Sequence, residues 1–319
     1  MEEDGRYPYY ALMNGNSRCG AVMISKKFVL TAAHCVGADD DFEIGIEETT
    51  FLGSFLSGGK NEYAYKQRVI HPGYDFYSNS MANDIALYEL DRDVPDALTP
   101  IRLEREALSK PGTPLSVIGF GDTNPDPDRT WLSNSLKQTM VDYVNEQTCK
   151  RNFVDTISDD MLCAFREGED SCGGDSGGPL FLKGETPEED SLVGLVSWGY
   201  ECGGDAPGVY ARISYFYDWI VDQMCIMNPD AVPSYVECEG NTGGGGSSNN
   251  NGIPTNPEIQ LPTSSPTSFD IWDLGDFDFG DSGSGTIEPS EFGDEDSFFG
   301  DLSDAWDSVA TWLSDIFGF

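Results

Sequence analysis

The chain has 319 residues and carries 18 Lys and Arg against 56 Asp and Glu, a formal net charge of −38. This acidic balance argues against binding to nucleic acid or to anionic membranes through charge, and it would attract cationic peptides. No apolar run approaches the ~20 residues that span a bilayer, so no membrane span is expected.

The first 225 residues alternate short apolar runs with clusters of Gly, Pro, Asn and Asp. This spacing is typical of an all-β sandwich or barrel. The predicted strands are, in chain order, Ala21–Leu30, Ile85–Leu90, Leu115–Phe120, Leu136–Tyr143, Leu192–Trp198 and Val209–Ile213.

The cysteine content indicates a disulfide framework. Eight cysteines are present, an even number, which is typical of proteins that fold in an oxidising compartment. The pattern alone leaves their pairing open. Since no CxxC pair occurs and only two His are present, neither a metal site nor a cofactor is expected.

After Cys238 the composition changes. Residues 226–240 form a short extension after the main domain, and residues 241–268 are rich in Gly, Ser, Asn, Pro and Thr, which is typical of a flexible linker. Residues 269–319 form an acidic and aromatic tail of low complexity, and no Lys or Arg follows Arg212. A short unit recurs as Leu274-Gly275-Asp276, Phe279-Gly280-Asp281, Phe292-Gly293-Asp294 and Phe299-Gly300-Asp301. Composition favours disorder for this tail.

The last segment of the tail has helical periodicity. Its apolar positions are spaced 4-3-4-3, which predicts one apolar helix face. These positions are Leu302, Trp306, Val309, Leu313 and Ile316. The pattern favours a docking helix for an unidentified partner, and a helix of this length is only marginally stable alone.

Three motifs carry the chemistry. In Gly174-Asp175-Ser176-Gly177-Gly178-Pro179, a Ser between glycines can expose its Oγ on a sharp turn, as acyl transfer requires. Upstream, Thr31-Ala32-Ala33-His34-Cys35 supplies a base, and Asn83-Asp84-Ile85-Ala86-Leu87 supplies an Asp inside an apolar run. The order His, Asp, Ser is that of the chymotrypsin-like triad and differs from subtilisins and α/β-hydrolases.

On these motifs the chain resembles the trypsin/chymotrypsin-like serine proteases from about Gly5 to about Met224. The resemblance implies two Greek-key antiparallel β-barrels, approximately residues 1–105 and 112–213, closed by a short C-terminal helix at residues 215–224. It implies a serine protease domain over residues 1–225. His34, Asp84 and Ser176 would be the catalytic residues.

The resemblance also implies further roles. The main-chain N–H groups of Gly174 and Ser176 would form the oxyanion hole. The implied disulfides are Cys19–Cys35, Cys149–Cys163 and Cys172–Cys202, which leaves Cys225 and Cys238 to close a loop after the domain. His71, the other His, would be structural.

Asp170 lies six residues before Ser176, where trypsin-like members of the family carry the Asp that binds a Lys or Arg side chain. The resemblance places Gly199 and Gly208 on the walls of this specificity pocket. Further pocket or substrate-backbone residues would be Ser171, Ser197 and Trp198.

The sequence departs from the family at three places. The activating segment, whose amino group pairs in the family with the residue here numbered Asp175, is expected before Met1, together with a propeptide and a signal peptide. Its absence favours either an incomplete sequence or a zymogen-locked or inactive chain. Glu201 stands where the family usually has Gly, and Phe120 replaces Trp in a Gly-Trp-Gly turn. Glu47, Glu48 and Glu62 fall near a calcium loop of some relatives, but their spacing favours solvated acids.

We therefore expect a secreted serine endopeptidase that cleaves after Arg or Lys. Its partners would be peptide or protein substrates and protein inhibitors. The alternative is an inactive protease-like binding protein whose acidic tail recruits a partner.

Overall fold

The computed structural model describes residues 5–14, 18–36, 43–46, 62–78, 80–124, 130–153 and 156–238. The predicted linker and the acidic tail, with its predicted amphipathic helix, lie outside the described residues, as do Glu47 and Glu48. None of the helices within these described ranges is both long and apolar enough to cross a bilayer.

The N-terminal sheet has seven strands that pair antiparallel in the order β5-β4-β1-β2-β3-β7-β6. They are Tyr10–Asn14 (β1), Arg18–Met23 (β2), Phe28–Thr31 (β3), Glu43–Ile46 (β4), Glu62–Tyr63 (β5), Tyr65–Ile70 (β6) and Ala86–Leu90 (β7). Every residue of β3 and β7 is buried, because both strands have a neighbour on each side and contribute to the hydrophobic core.

The second sheet contains Arg102–Leu103 (β8), Pro114–Gly119 (β9), Lys137–Val144 (β10), Met161–Phe165 (β11), Pro179–Leu182 (β12), Ser191–Trp198 (β13) and Gly208–Arg212 (β14). Its strands follow the order β12-β9-β10-β11-β14-β13, and β12 pairs again with β13 to close a barrel. The short strand β8 adds to β13 in parallel.

Within the described ranges, two α-helices accompany the barrels. Glu146–Asn152 (α1) begins at Asn145, whose side chain accepts the N–H of Thr148 at 2.9 Å. Ile213–Met227 (α2) is longer at both ends than the predicted helix. Its buried residues follow a 3-4-4 spacing, which places them on the one face that packs against the barrels. They are Ile213, Phe216, Ile220 and Met224.

The predicted fold class, all-β with two antiparallel barrels and a C-terminal helix, is confirmed. The single strand predicted over Ala21–Leu30 is wrong, since β2 and β3 share this run and pair with each other. The Ser25 side chain makes the turn between them, because its Oγ accepts the N–H groups of Lys27 and Phe28.

Four disulfides join Cys19 to Cys35, Cys149 to Cys163, Cys172 to Cys202 and Cys225 to Cys238. These are the pairs that the family resemblance and the two remaining cysteines lead us to expect. The last bridge closes a loop of the extension directly after α2.

The two barrels approach to backbone contact at Gly20 of β2. The N–H of Gly20 donates to the carbonyl oxygen of Ser176 at 2.7 Å, and a Cβ atom on Gly20 would lie 2.7 Å from the Cα of Gly178. A second link is a buried cluster in which Asp190 accepts both terminal guanidinium nitrogens of Arg6 and the hydroxyl of Tyr9. The chain before β1 is thereby tied to the second barrel.

Candidate active site

His34 and Asp84 form a hydrogen-bonded pair in the first barrel. His34 lies in the single turn Ala33–Cys35 that follows β3, and Asp84 lies two residues before β7. Nδ1 of His34 is 2.7 Å from Oδ2 of Asp84, and the main-chain N–H of His34 donates to Oδ1 at 2.9 Å. Ser197 of β13 donates its hydroxyl to the same Oδ2 at 2.5 Å. The carboxylate is thus held by groups from both barrels.

The electrostatics of this pair suit a base. Burial opposes the charge on His34, but the carboxylate of Asp84 and its hydrogen bond outweigh that cost and raise the pKa of the imidazole. Burial likewise opposes ionisation of Asp84, but the pKa of Asp84 is lowered by His34 and by the hydrogen bond from Ser197. An imidazole oriented by a buried carboxylate can accept a proton at Nε2.

Ser176 lies against the segment that carries His34. Its carbonyl oxygen accepts the N–H of Gly20 and is 3.5 Å from Sγ of Cys35, the residue after His34. A ring nitrogen of His34 and the sulfurs of Cys19 and Cys35 lie within 4.8 Å of one another. Because these sulfurs are bonded to each other, the group does not offer thiolates to a metal.

The loop before and after Ser176 depends on glycine at two positions. Gly174 has φ +94°, and a Cβ there would lie 2.9 Å from Cδ2 of Leu132. Gly177 has φ +77°, and a Cβ would lie 2.1 Å from Oγ1 of Thr31. Only glycine fits these left-handed, crowded positions, so the loop conformation is set by the sequence Gly174 to Gly178.

Asp175, the residue before Ser176, is buried. Its Oδ1 accepts the N–H of Gly121 at 2.7 Å, and its Oδ2 accepts the N–H of Cys172 at 3.0 Å. Burial raises the pKa of Asp175 to about 6, although these hydrogen bonds act in the opposite direction. Across the part of the chain that the structure describes, no cationic side chain contributes to this shift.

Asp170, the predicted specificity residue, is a half-buried carboxylate. Asp170 accepts the N–H groups of Ser171 at 2.8 Å and Gly203 at 3.1 Å. A Cβ on Gly208 would lie 3.0 Å from Oδ1 of Asp170, and one on Gly199 would lie 4.0 Å from the Cα of Gly208. The two glycines therefore face each other beside the carboxylate. Burial raises the pKa of Asp170 to about 6.

Two other predicted pocket residues, Trp198 and Ser171, contact aromatic side chains. The Trp198 ring packs edge-on against Phe153 at 4.9 Å between centroids, and exposed Tyr200 packs against Phe153 at 5.1 Å. The Ser171 hydroxyl lies 3.3 Å from the Tyr210 hydroxyl. Glu201 is exposed, and its Cβ would lie 3.1 Å from a Cβ on Gly204.

Two contacts at the site were not predicted. The Ser197 hydroxyl contacts Asp84, and the expected role of Ser197 in binding the substrate stays a prediction. The N–H of Asn83, the residue before Asp84, donates to Oδ2 of buried Asp160 at 2.6 Å. The second barrel carries Asp160 directly before β11. Neither contact has a local sequence signal, because each joins residues far apart in the chain.

His71 is linked to the segment that carries Asp84 through Gly73 and Asn83. The side-chain amide of Asn83 donates to the carbonyl of Gly73 at 3.1 Å, and the N–H of Gly73 donates to Nδ1 of His71 at 3.2 Å. The His71 ring packs against Phe216 and Trp219 of α2. This histidine therefore lies in a structural turn that connects α2 to Asn83.

The family model described as Trypsin matches residues 2–220, which is more than half of the chain. The chain belongs to the trypsin family. Its members include serine endopeptidases, so this likeness agrees with the hydrogen-bonded His34 and Asp84 and with the glycine-framed Ser176.

Curated relatives of the trypsin family cover the same part of the chain. Chymotrypsin-2 of Vespa crabro is 32% identical, with 68% of this chain and 94% of the relative covered. Trypsin of Pleuronectes platessa is 34% identical, with 67% and 83% covered. Transmembrane protease serine 11E of Mus musculus is 35% identical over 68% of this chain, but the match spans only 52% of that relative.

A solved structure supports the same fold. Neuropsin, a serine protease of mouse brain, superposes with a TM-score of 0.61 at 29% identity and covers 70% of this chain and 97% of its own. The relatives' names include both a trypsin and a chymotrypsin, so the specificity has to be argued from the pocket residues of this chain.

Proposed function

We propose that this chain is a secreted serine endopeptidase that hydrolyses peptide bonds after Arg or Lys. The observation that carries the proposal is the 2.7 Å hydrogen bond between partly buried His34 and buried Asp84, with Ser176 held against the His34 segment. Four disulfides support an extracellular, oxidising location.

In the proposed mechanism, Oγ of Ser176 attacks the carbonyl carbon of the substrate, and its proton passes to Nε2 of His34. The N–H groups of Gly174 and Ser176 stabilise the oxyanion, where one such donor contributes about 3–4 kcal/mol. The C–N bond then breaks, and His34 gives its proton to the leaving amine. Water attacks the resulting ester by the same steps in reverse order and releases the acid and Ser176.

Asp84 has two roles in this scheme. Its hydrogen bond to Nδ1 fixes the tautomer that leaves Nε2 free to accept the proton, and its charge stabilises the imidazolium. Ser197 keeps Oδ2 of Asp84 oriented toward His34, since its hydroxyl donates to that oxygen.

The preference for Arg or Lys is supported by Asp170. Its carboxylate is half-buried beside Gly208, which lies near Gly199, so a long cationic side chain could reach it without meeting a side chain at either glycine. A guanidinium or ammonium group would then form a charge-assisted hydrogen bond with Asp170. We assign Asp175 the role of partner for the activating amino group, because it is a buried carboxylate directly before Ser176.

The test is active-site labelling with a fluorophosphonate probe. The full chain and a form extended by a free N-terminal Ile-Val-Gly-Gly segment are compared, with Ser176→Ala as the matched control. We expect labelling of the extended form, none of Ser176→Ala, and protection by benzamidine. If neither wild-type form is labelled, the enzyme proposal is wrong and a binding role for the fold is favoured.

A further inference from the structure

The sequence contains two pairs of adjacent basic residues, Lys26-Lys27 and Lys150-Arg151. Proteases that cut after Lys or Arg could act on either pair, but the surroundings of the two pairs differ. The first pair lies in the tight turn between β2 and β3. Nζ of Lys26 donates to the carbonyl oxygens of Pro95 and Leu98, both at 2.9 Å, which holds this turn against the body of the first barrel.

The second pair lies at the exposed end of α1. Both side chains are exposed, whereas Cys149 directly before them is buried. Lys150 pairs with Glu146 at 2.5 Å on the helix surface, and Nη2 of Arg151 donates to Oγ1 of Thr148 at 3.0 Å. A helix of seven residues is only marginally stable by itself, so its last turn opens at low cost. Local opening would then present the bond after Arg151 to a protease.

Most other exposed basic residues of the described ranges are protected by a strand or by a neighbour. Three lie in strands, whose main-chain hydrogen bonds keep them from entering a protease cleft. These are Lys66, Arg102 and Lys137. Three others have an acid or a proline beside them, which hinders cleavage because Asp170 repels acids and proline restricts the backbone. These are Arg92, Arg105 and Lys110.

Lys183, the remaining exposed basic residue of these ranges, is followed by a fixed peptide group. The N–H of Gly184 donates to Oδ1 of Asp190 at 2.8 Å, and its carbonyl oxygen also accepts a hydrogen bond. Asn152, which follows Arg151, is neither acidic nor proline and is itself exposed. The Arg151–Asn152 bond is therefore the most accessible bond after a basic residue among those that the structure describes.

A cut at this bond would not release a fragment. Cys149 lies before the bond and Cys163 after it, and a disulfide joins them. Hydrolysis adds one water across the C–N bond, which leaves a carboxylate on Arg151 and an ammonium group on Asn152 at neutral pH. The product is a two-chain form that stays covalently linked.

The new chain end would lie next to a side chain that supports the predicted pocket. Phe153 directly follows Asn152 and is 1% exposed. Its ring packs edge-on against Trp198, and it also packs against Tyr200. An ammonium group stays in water rather than enter an apolar cluster. The cut would therefore pull on Phe153 and loosen its contact with Trp198.

We propose that the Arg151–Asn152 bond is a proteolytic modification site, cut in the folded protein by proteases that cleave after basic residues, a second copy of this chain among them. The disulfide-linked product binds substrate more weakly, because Phe153 no longer supports Trp198. Cleavage by a second copy and the weaker substrate binding rest on the proposed function, whereas the accessibility of the bond does not.

The experiment uses the full chain with Ser176→Ala, which cannot cut itself by the proposed mechanism. The folded protein is treated with a small amount of trypsin. We expect the first new N-terminus to be Asn152-Phe153, and the two fragments seen on a reducing gel to run as one species without reductant. A first cut elsewhere, or fragments that separate without reductant, would overturn the inference.

Two double variants of this protein test recognition of the basic pair. With Lys150→Gln and Arg151→Gln together, the cut should slow by about tenfold or more, since no basic side chain remains to bind the pocket of the protease. Arg92→Gln with Arg105→Gln is the matched control, because it removes two exposed arginines that have acidic neighbours and should leave the rate unchanged. If the first double variant is cut as fast as the control, the inference is wrong.

The form with a free N-terminal Ile-Val-Gly-Gly segment tests the effect on substrate binding. After the cut, its KM on a peptidyl Arg-coumarin amide should rise severalfold with kcat little changed, because the cut acts on Trp198 rather than on His34 and Asp84. Phe153→Ala without the cut should give a similar rise. An unchanged KM in both would refute the effect on substrate binding.

The same form is then mixed with the Ser176→Ala chain as its substrate. We expect it to produce the Asn152 N-terminus. If it hydrolyses the coumarin amide but leaves the chain uncut, self-cleavage is wrong and the proposed function stands. If it hydrolyses neither while trypsin cuts at Arg151, the proposed function is wrong and the modification site stands.

Discussion

The N–H of Asn83 donates a 2.6 Å hydrogen bond to Oδ2 of Asp160, so the second barrel holds the residue that precedes Asp84 of the first. Asn83 has φ +61°, a left-handed conformation that is uncommon for residues other than glycine. The Asp160 carboxylate is buried and also accepts the hydroxyl of Ser158. Asp160 therefore fixes the backbone from which Asp84 reaches His34.

Loss of this hydrogen bond should affect turnover more than substrate binding. In Asp160→Ala the partly buried N–H of Asn83 loses its acceptor, which costs about 1–3 kcal/mol. We expect kcat on an Arg-coumarin amide to fall about tenfold with KM little changed, because Asp84 is displaced and Asp170 is not. Asp160→Asn keeps an acceptor oxygen and should retain more activity. If Asp160→Ala lowers kcat only in proportion to its loss of thermal stability, and Asp160→Asn retains no more activity than Asp160→Ala, Asp160 has no positioning role.

The affinity for benzamidine should depend on pH through Asp170. The pKa of Asp170 is raised to about 6 by burial, so the free pocket loses its negative charge as pH falls through that value. The ligand stays cationic, so its Kd should rise on acidification. Calorimetry with Ser176→Ala measures this without interference from turnover. Asp170→Asn should bind benzamidine weakly at every pH. A wild-type Kd that is constant between pH 5 and 7 would show that Asp170 does not bind the benzamidine cation.

Asp175 should make the stability of the chain fall as pH rises from about 4 to about 6. Its pKa in the folded state, about 6, is above the ordinary value of 3.8, so the folded state holds this proton more tightly than the unfolded state. Stability is therefore lost on ionisation, by about 3 kcal/mol for a shift of this size.

The comparison that isolates this effect is Asp175→Asn, which has no titrating group at the position. Chemical unfolding at several pH values should give curves for the two proteins that diverge above pH 4. Parallel curves would mean that Asp175 is not stabilised in its neutral form.

The buried pair of Arg6 and Asp190 should be important for stability. Asp190 is fully buried and also accepts the Tyr9 hydroxyl at 2.5 Å, so Asp190→Ala leaves a guanidinium and a phenol without their acceptor. We expect a loss of about 3–5 kcal/mol in the free energy of unfolding. Lys150→Ala, which breaks an exposed helical pair with Glu146, is the control and should change the unfolding midpoint little. If Asp190→Ala also changes the free energy of unfolding little, water replaces the contacts of Arg6 and Tyr9 with Asp190.

Much of the fold and of the candidate site could be predicted from short motifs, because the glycines, Ser176 and His34 lie in segments whose conformation is set locally. Gly174 and Gly177 are examples, since both have positive φ angles that the sequence pattern requires. The two-barrel fold class and the trypsin family were predicted and are confirmed. The catalytic and pocket roles of the motif residues stay predictions.

Other features depend on contacts that no local pattern reports. Ser197 and Asp84 are 113 positions apart, and Asn83 and Asp160 are 77 apart. Strands such as β5 have two residues and no periodicity to detect. The turn inside Ala21–Leu30 was missed although Ser25, Lys26 and Lys27 interrupt the apolar run, because it contains neither Gly nor Pro.

The close approach of Gly20 and Gly178 has a consequence for the order of folding. His34 and Asp84 belong to one barrel and Ser176 to the other. The two barrels can approach this closely only because neither Gly20 nor Gly178 has a side chain. A chain in which one barrel has folded and the other has not contains no assembled nucleophile. Any proteolytic activity would therefore appear only after both barrels have folded. Partly folded chains would be unable to cleave one another.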